Sequence, residues 1–328
     1  MRVLVTGATG YLGGALINRL RESGMDTVAL GRNPQSCAHL DESGFTTICA
    51  DLSGGMELQH IRQRIGAVDA VVHCAALSAP WGRLSAFSAA NVDGTQNALD
   101  LAAELGARRF VNISSPTVYF ELKDKTGVKE TDPLPSPINA YAKTKAEAER
   151  MVLARRDLGP VNLRPRGIYG AGEQTLLPRL LAAAQQRPLP LLRGGVAAID
   201  LTHVSDVVTA IEAALMPDQA LEGETFNFSG GEMVLVKNIV ERVCAAFSVR
   251  LRWRKTPFWP ALMAARLVEM ASLALPSSGE PVVTPYTLGL FAFRQSLNIT
   301  KAREMLNWRP QMSFAQGLEL TLKGKLAP

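Results

Sequence analysis

The sequence predicts an α/β fold, a doubly wound parallel sheet with a smaller, discontinuous C-terminal lobe. Three observations carry this expectation. Short apolar runs alternate with helical stretches through the first half of the chain. A glycine-rich turn joins the first run to the first helix. The rhythm breaks after Arg164, where helices mix with brief strands. Such alternation yields parallel strands covered by helices on both faces and joined by right-handed crossovers.

Taken in order, Val3 to Thr6 is the first strand, and a helix runs from Tyr11 to Ser23. Thr27 to Leu30 and Thr46 to Ala50 supply the second and third strands. A helix over Leu58 to Ile65 leads to the fourth strand, Ala70 to His73. Leu84 to Leu105 has helical periodicity, with room for two kinds of turn. Arg109 to Ile113 is the fifth strand, Asn139 to Arg156 a helix, and Val161 to Arg164 the sixth strand. Beyond these, helices are expected at Leu176 to Gln186, Val207 to Met216 and Val234 to Phe247, with a strand at Thr225 to Phe228. The expected division puts 1–165 in a dinucleotide-binding domain, with segments of 197–230 returning to it. Residues 166–196 and 231–328 form the lobe over the carboxyl ends of the strands, where ligands bind in such sheets.

Size and composition narrow the function. A chain of 328 residues holds one large domain or two modest ones. A net charge of +5 is too weak to indicate nucleic acid. The stretch RLRWRK, Arg250 to Lys255, is either a solvated strand face or a contact for an anionic ligand or membrane surface. The cysteines (Cys37, Cys49, Cys74, Cys244) and histidines (His39, His60, His73, His203) have no metal-ligand spacing, so no metal site is expected. The first strand starts at once, without a signal-peptide pattern, and a reduced, cytoplasmic location is expected.

The turn TGATGYLG places Gly7, Gly10 and Gly13 three apart between a strand and a helix. Gly7 permits the tight turn, Gly10 admits a pyrophosphate to the backbone, and Gly13 lets helix and sheet pack closely. The helix N-terminus supplies amides for the anion. At the end of the second strand stand Gly31 and Arg32, where an NAD site usually carries a carboxylate. Arginine suits a 2′-phosphate, so NADPH is expected, with NAD possible. Asp51 serves either the adenine amino group or a turn cap.

Chemistry is expected from FVNISSPTVY and YAKTK. Ser115 ends the fifth strand, with Ser114 its rival if the register shifts, and Tyr141 and Lys145 lie one helical turn apart. A carbonyl accepting hydride from a nicotinamide becomes oxyanion-like. Ser115 can donate to that oxygen, and Tyr141 can deliver a proton as general acid. A cationic Lys145 would ease formation of the phenolate.

The segments TGATGYLG, HCAA, SSPTVY and YAKTK resemble the extended short-chain dehydrogenase/reductase superfamily, over almost the whole chain. The resemblance implies a Rossmann domain, an oxidoreductase and a catalytic set of Ser115, Tyr141 and Lys145, with Asn91 supporting the water or lysine network. It implies cofactor contacts from Gly7, Thr9, Gly10, Tyr11, Leu12, Gly13, Arg32, Asp51, Leu52, Cys74, Ala75, Ala76, Tyr141, Lys145 and Pro165. His203 and Asp206 match a structural element, not a catalytic base.

HCAALSAPWG, LRPRGIYGAGEQTLLPRL and GEPVVTPY are similar to the 3β-hydroxysteroid dehydrogenase-like branch, and within it to bacterial 2-alkyl-3-oxoalkanoate reductases. That implies NADPH-dependent reduction of a hydrophobic or polyketide-like β-keto acid or thioester. A 3β-hydroxysteroid-type dehydrogenase and a sugar-nucleotide epimerase or dehydratase are the alternatives; a non-catalytic NADPH-binding regulator is the remaining one. Phe120 departs from the glycine common after the SSxTVY tyrosine, and KDKTG alters the loop before Tyr141. The apolar segment Phe258 to Pro276 is lobe core or a dimer contact, a channel wall, or a peripheral membrane contact. A homodimer without nucleic-acid partners is expected.

Overall fold

The computed structural model describes residues 1–55, 57–173, 175–216, 220–274 and 280–326. The N-terminal half runs β1 (Arg2–Thr6), α1 (Tyr11–Glu22), β2 (Asp26–Gly31), α2 (Pro34–Glu42), β3 (Thr46–Cys49), α3 (Leu58–Ile65) and β4 (Ala70–His73). It continues with α4 (Leu84–Phe87), α5 (Gly94–Glu104), β5 (Arg109–Ile113), β6 (Lys125–Val128), α6 (Ala140–Ala154) and β7 (Pro160–Pro165). Next come β8 (Ile168–Tyr169), α7 (Leu177–Gln186), β9 (Leu189–Leu191), β10 (Ala198–Ile199), β11 (Thr202–His203), α8 (Val204–Leu215) and β12 (Glu224–Phe228). The chain ends with β13 (Val234–Leu235), α9 (Val236–Ala246), β14 (Trp253–Lys255), α10 (Phe258–Ala274), α11 (Pro285–Leu290), β15 (Arg294–Leu297), α12 (Thr300–Met305) and α13 (Phe314–Leu326).

A seven-stranded sheet in the order β12-β7-β5-β4-β1-β2-β3 forms the centre, with every neighbouring pair parallel. Alternation within the strands divides the core in two. Val3 and Val5 face α1 and α8 residues such as Leu16, Ile17, Val207 and Ile211. Leu4 points the other way, toward Ile61 and Ile65 of α3 and Leu99 of α5. Period-two burial on both faces is what a helix-covered parallel sheet requires. Strand order reverses between β1 and β4, so the crevice for a ligand opens where β1 and β4 end.

The smaller lobe holds a four-stranded sheet, β13-β10-β15-β6, and the pairs β11-β8 and β14-β9. The KDKTG stretch, expected as loop, contributes to β6, which pairs with β15 in parallel. Its partner lies far along the chain, beyond the reach of local pattern. α8 and β12 join the main sheet and its core. Leu297, Ile299, Ala302, Leu306 and Trp308 also pack there, although 231–328 was expected in the lobe. The helical stretch over Leu84 to Leu105 is α4, a π-helical segment Ser88–Asp93, and α5. No described helix is long and apolar enough to cross a membrane.

Candidate active site

The phosphate loop is built by glycine geometry. Gly7 has φ +66°, and a Cβ there would sit 2.8 Å from the Ala75 amide nitrogen. A side chain would push away the segment following β4. A Cβ on Gly13 would lie 2.2 Å from the Gly7 carbonyl oxygen. Gly13 therefore makes room for the turn itself. Gly10 precedes α1 with no side-chain cap, which leaves first-turn amides free for an anion. Cys74 and Ala75 run beside this loop, and the Ala75 amide donates to Thr6 Oγ1 at 3.3 Å. This cradle fits a dinucleotide pyrophosphate.

Around the cradle, Thr9 abuts Gly31, where a Cβ would stand 2.5 Å from the Thr9 methyl. Arg32 follows with an exposed side chain. Asp51 caps a turn, accepting from the Ser53 amide at 2.9 Å and the Ser53 hydroxyl at 2.7 Å. These bonds, with Arg32 nearby, hold its carboxyl below the usual range despite some desolvation. Leu52 is buried, and its carbonyl accepts from Asn97 at 2.7 Å. Leu12 packs on the core. The Tyr11 hydroxyl is buried near Gly170 without a hydrogen-bond partner among the described residues, and burial and Glu173 raise its pKa. Pro165 ends β7 opposite Phe228.

Ser115, Tyr141 and Lys145 come together at the carboxyl end of β5. Asn139 caps α6, accepting from the Ala142 amide at 2.8 Å, and so starts the helix one residue before Tyr141. Ser78 and Ser115 are the hydroxyl side chains that act on the Tyr141 phenol. Desolvation raises this phenol, and the two serines partly oppose it. Ser115 Oγ also shares a hydrogen bond with Thr117 Oγ1 at 2.9 Å. Ser114 Oγ is buried without a hydrogen-bond partner among the described residues, and Ser115 is the serine that acts on the tyrosine.

Lys145 is 2% exposed, and its Nζ donates to the Ile113 carbonyl at 2.7 Å. Desolvation pushes it down to about 8, opposed chiefly by Glu149. Ser78 and Ser115 act on the Tyr141 phenol by hydrogen bonding, and Tyr286 acts through its charge. Glu149 is itself held by Arg164 in a two-point ion pair, at 2.7 and 2.6 Å. Asn91 lies in the π-helical segment and grips the Leu77 backbone at both its amide (2.7 Å) and its carbonyl (3.1 Å), and donates to Thr144 at 3.1 Å. It thus positions the strand-end segment and α6 rather than touching Lys145. His203 caps α8 through Ser205, away from Tyr141.

Three residues escaped sequence reasoning. Ser78 reaches Tyr141 from the segment after β4. Tyr286, in the first turn of α11, meets Thr117 Oγ1 at 3.3 Å. Together they continue a line of hydroxyls, Tyr286–Thr117–Ser115–Tyr141. Glu149 completes the set beneath Lys145. HCAALSAPWG and GEPVVTPY contain Ser78 and Tyr286, but no spacing rule points to either; Gly279 of the latter lies outside the described residues.

A protein-family model described as the NAD dependent epimerase/dehydratase family matches residues 3–229. The chain belongs to that family. This epimerase/dehydratase-family chain is an NAD(P)-dependent oxidoreductase of the extended short-chain dehydrogenase/reductase type. It is 31% identical to 2-alkyl-3-oxoalkanoate reductase of Stenotrophomonas maltophilia, over 97% of each chain. It is 30% identical to the uncharacterized protein YbjS of Escherichia coli K12, over 98% of this chain and 96% of that one. Sterol-4-alpha-carboxylate 3-dehydrogenase of mouse is 26% identical over 97% of this chain and 89% of that protein. Among solved structures, UDP-glucuronic acid 4-epimerase of Bacillus cereus in complex with NAD superposes with TM-score 0.75 at 23% identity, covering 99% and 98% of the two chains. That last likeness shows the fold.

Proposed function

We propose that the chain reduces a ketone on a hydrophobic, 3-oxo-acid-like substrate to a secondary alcohol, with Tyr141 as proton donor. The observation that carries this reading is the buried Tyr141 phenol with Ser78 and Ser115 acting on it, on the helix whose Lys145 reaches the carboxyl end of β5. When bound, the reduced dinucleotide supplies the hydride. Ser115 orients the carbonyl oxygen, and Tyr141 gives its proton to that oxygen as negative charge develops there. A phenol raised by burial stays protonated at neutral pH, which suits an acid. Lys145, one turn along α6 and donating to the Ile113 carbonyl, would hold the cofactor's ribose and support reprotonation of Tyr141.

Aromatic and apolar side chains favour a greasy substrate. Phe87 lies 6.2 Å from the Tyr141 ring, and Phe120 stacks edge-on against Tyr286 at 4.8 Å. Two of the arginines suited to a sugar-nucleotide diphosphate are already paired. Arg179 meets Glu280 at 3.0 Å and Arg193 meets Asp124 at 2.9 Å. The reductase from Stenotrophomonas is named for a 2-alkyl-3-oxoalkanoate, which supports the same substrate class.

A second reading has its own support. The family description and the solved structures, several of them bound to NAD, lean toward a sugar-nucleotide epimerase or dehydratase. The sterol relatives lean toward a 3β-hydroxysteroid-type dehydrogenase. The same Tyr141 proton chemistry serves each of these.

Reduced-cofactor consumption against a panel separates them: a long-chain 2-alkyl-3-oxo acid, a β-keto thioester, a 3-ketosteroid and a UDP-sugar 4-ketone. Turnover of the oxo acid or thioester supports the reductase reading, whereas turnover of the sugar ketone alone overturns it. Tyr141→Phe is expected to lower turnover by about 100- to 10,000-fold while cofactor affinity holds. NADPH is the proposed cofactor because Arg32, not a carboxylate, follows β2. Arg32→Ala is therefore expected to weaken NADPH about tenfold more than NADH in a fluorescence titration. Equal weakening removes Arg32 from that role.

A further inference from the structure

α10 turns its apolar side outward. Phe258, Leu262 and Ala265 form its buried face, packed with Leu288, Ala292 and Phe293. On the opposite side, Trp259, Leu267 and Met270 are 70%, 64% and 67% exposed. Met263 is exposed beside them. With 3.6 residues per turn, Trp259, Met263, Leu267 and Met270 fall on one outward stripe. Of the helix's two charged residues, Glu269 is partly buried on the inward face and Arg266 is exposed at the edge of that stripe. A solvent-facing helix ordinarily shows the reverse pattern. A contiguous apolar face of this kind marks an interaction surface.

The strand leading into the helix identifies the occupant. Arg250, Arg252, Arg254 and Lys255 are all exposed, with no acidic residue among 250–255. None of the four forms an ion pair among the described residues. A second copy of the chain would cover the apolar stripe but bring the same cations, with no counter-charge. A bilayer carrying anionic headgroups answers both features. Basic side chains meet the headgroups, while Trp259, Leu267 and Met270 enter the acyl boundary. The helix is too short to span, so it would lie in the interface plane.

We propose that α10, with the basic strand before it, docks this protein peripherally on an anionic membrane surface. The inference does not depend on the substrate proposed above.

Vesicle flotation tests it, using phosphatidylcholine alone and an equal mixture with phosphatidylglycerol. The full chain is expected to float with the anionic vesicles and not with phosphatidylcholine alone. Salt should weaken the association. Leu267→Glu with Met270→Glu, and separately Arg254→Glu with Lys255→Glu, should each reduce binding by about tenfold or more. Both double variants should keep wild-type NADPH affinity, which verifies folding and is independent of any substrate. Absence of flotation by the wild type overturns the proposal, as does undiminished flotation by the variants. Loss of a dimer in Leu267→Glu with Met270→Glu, seen by light scattering and without wild-type flotation, assigns the face to a second copy instead.

Discussion

At the scale of single residues, burial sets the chemistry of His73. Its ring bridges Thr6 at 2.8 Å and Thr95 at 3.2 Å, beneath the phosphate loop. Desolvation, and secondarily Lys145, push its pKa down to about 3. The sign follows directly. Between about 6.5 and 3 the unfolded chain binds a proton that the folded chain refuses. Stability should therefore fall as pH drops through that window, by up to about 1.4 kcal/mol per pH unit from this group alone. Urea denaturation at stepped pH values measures the slope. His73→Gln should flatten it; an unchanged slope would assign the acid sensitivity to other groups. Composition showed four scattered histidines, which excluded a metal pattern but could not tell a neutral core ring from an exposed one.

At the scale of elements, the turn between β1 and α1 was readable because glycine spacing reports backbone geometry directly. Gly7, Gly10 and Gly13 occupy the positions such a turn requires, and the structure explains Gly13 more sharply than helix–sheet packing does. Gly13→Ala would force its methyl into the Gly7 carbonyl, displacing the amides meant for the pyrophosphate. Overpacking of this kind costs about 1–3 kcal/mol. Thermal denaturation should show that loss, and a cofactor titration should show weaker binding. Gly55→Ala, where the new methyl meets open space, is the matched control and should change neither. The π-helical segment was not readable. Asn91 lies in it, and its amide satisfies Leu77 and Thr144 from elsewhere in the chain, partners of which helical periodicity carries no trace. Functional sites often carry such turns.

At the scale of the molecule, the lobe reaches the sheet through Tyr286. Its hydroxyl meets Thr117, which meets Ser115 on the catalytic side. Burial raises the Tyr286 phenol, with Thr117 opposing, so it remains a donor at neutral pH. Tyr286→Phe removes one neutral hydrogen bond, worth about 1 kcal/mol. The expected effect is about a fivefold loss in kcat/KM, with cofactor affinity unchanged. A loss as large as that of Tyr141→Phe would place Tyr286 in proton transfer itself, whereas no loss would make the contact incidental.

The sequence by itself determined the sheet, the phosphate turn and the placing of Tyr141 and Lys145 one turn apart on a helix, because each is written in local spacing. Short continuous apolar runs specify buried strands, glycines specify the turn, and a four-residue step puts two side chains on one helix face. The tertiary structure alone decided which serine meets Tyr141, that Lys145 donates to Ile113, and that β6 finds β15 across the chain. It also decided that α10 shows its apolar side to solvent, where the sequence left lobe core or dimer contact, channel wall and membrane contact as alternatives. These outcomes depend on contacts between residues far apart in sequence and on the burial those contacts create, and neither is encoded in any local pattern.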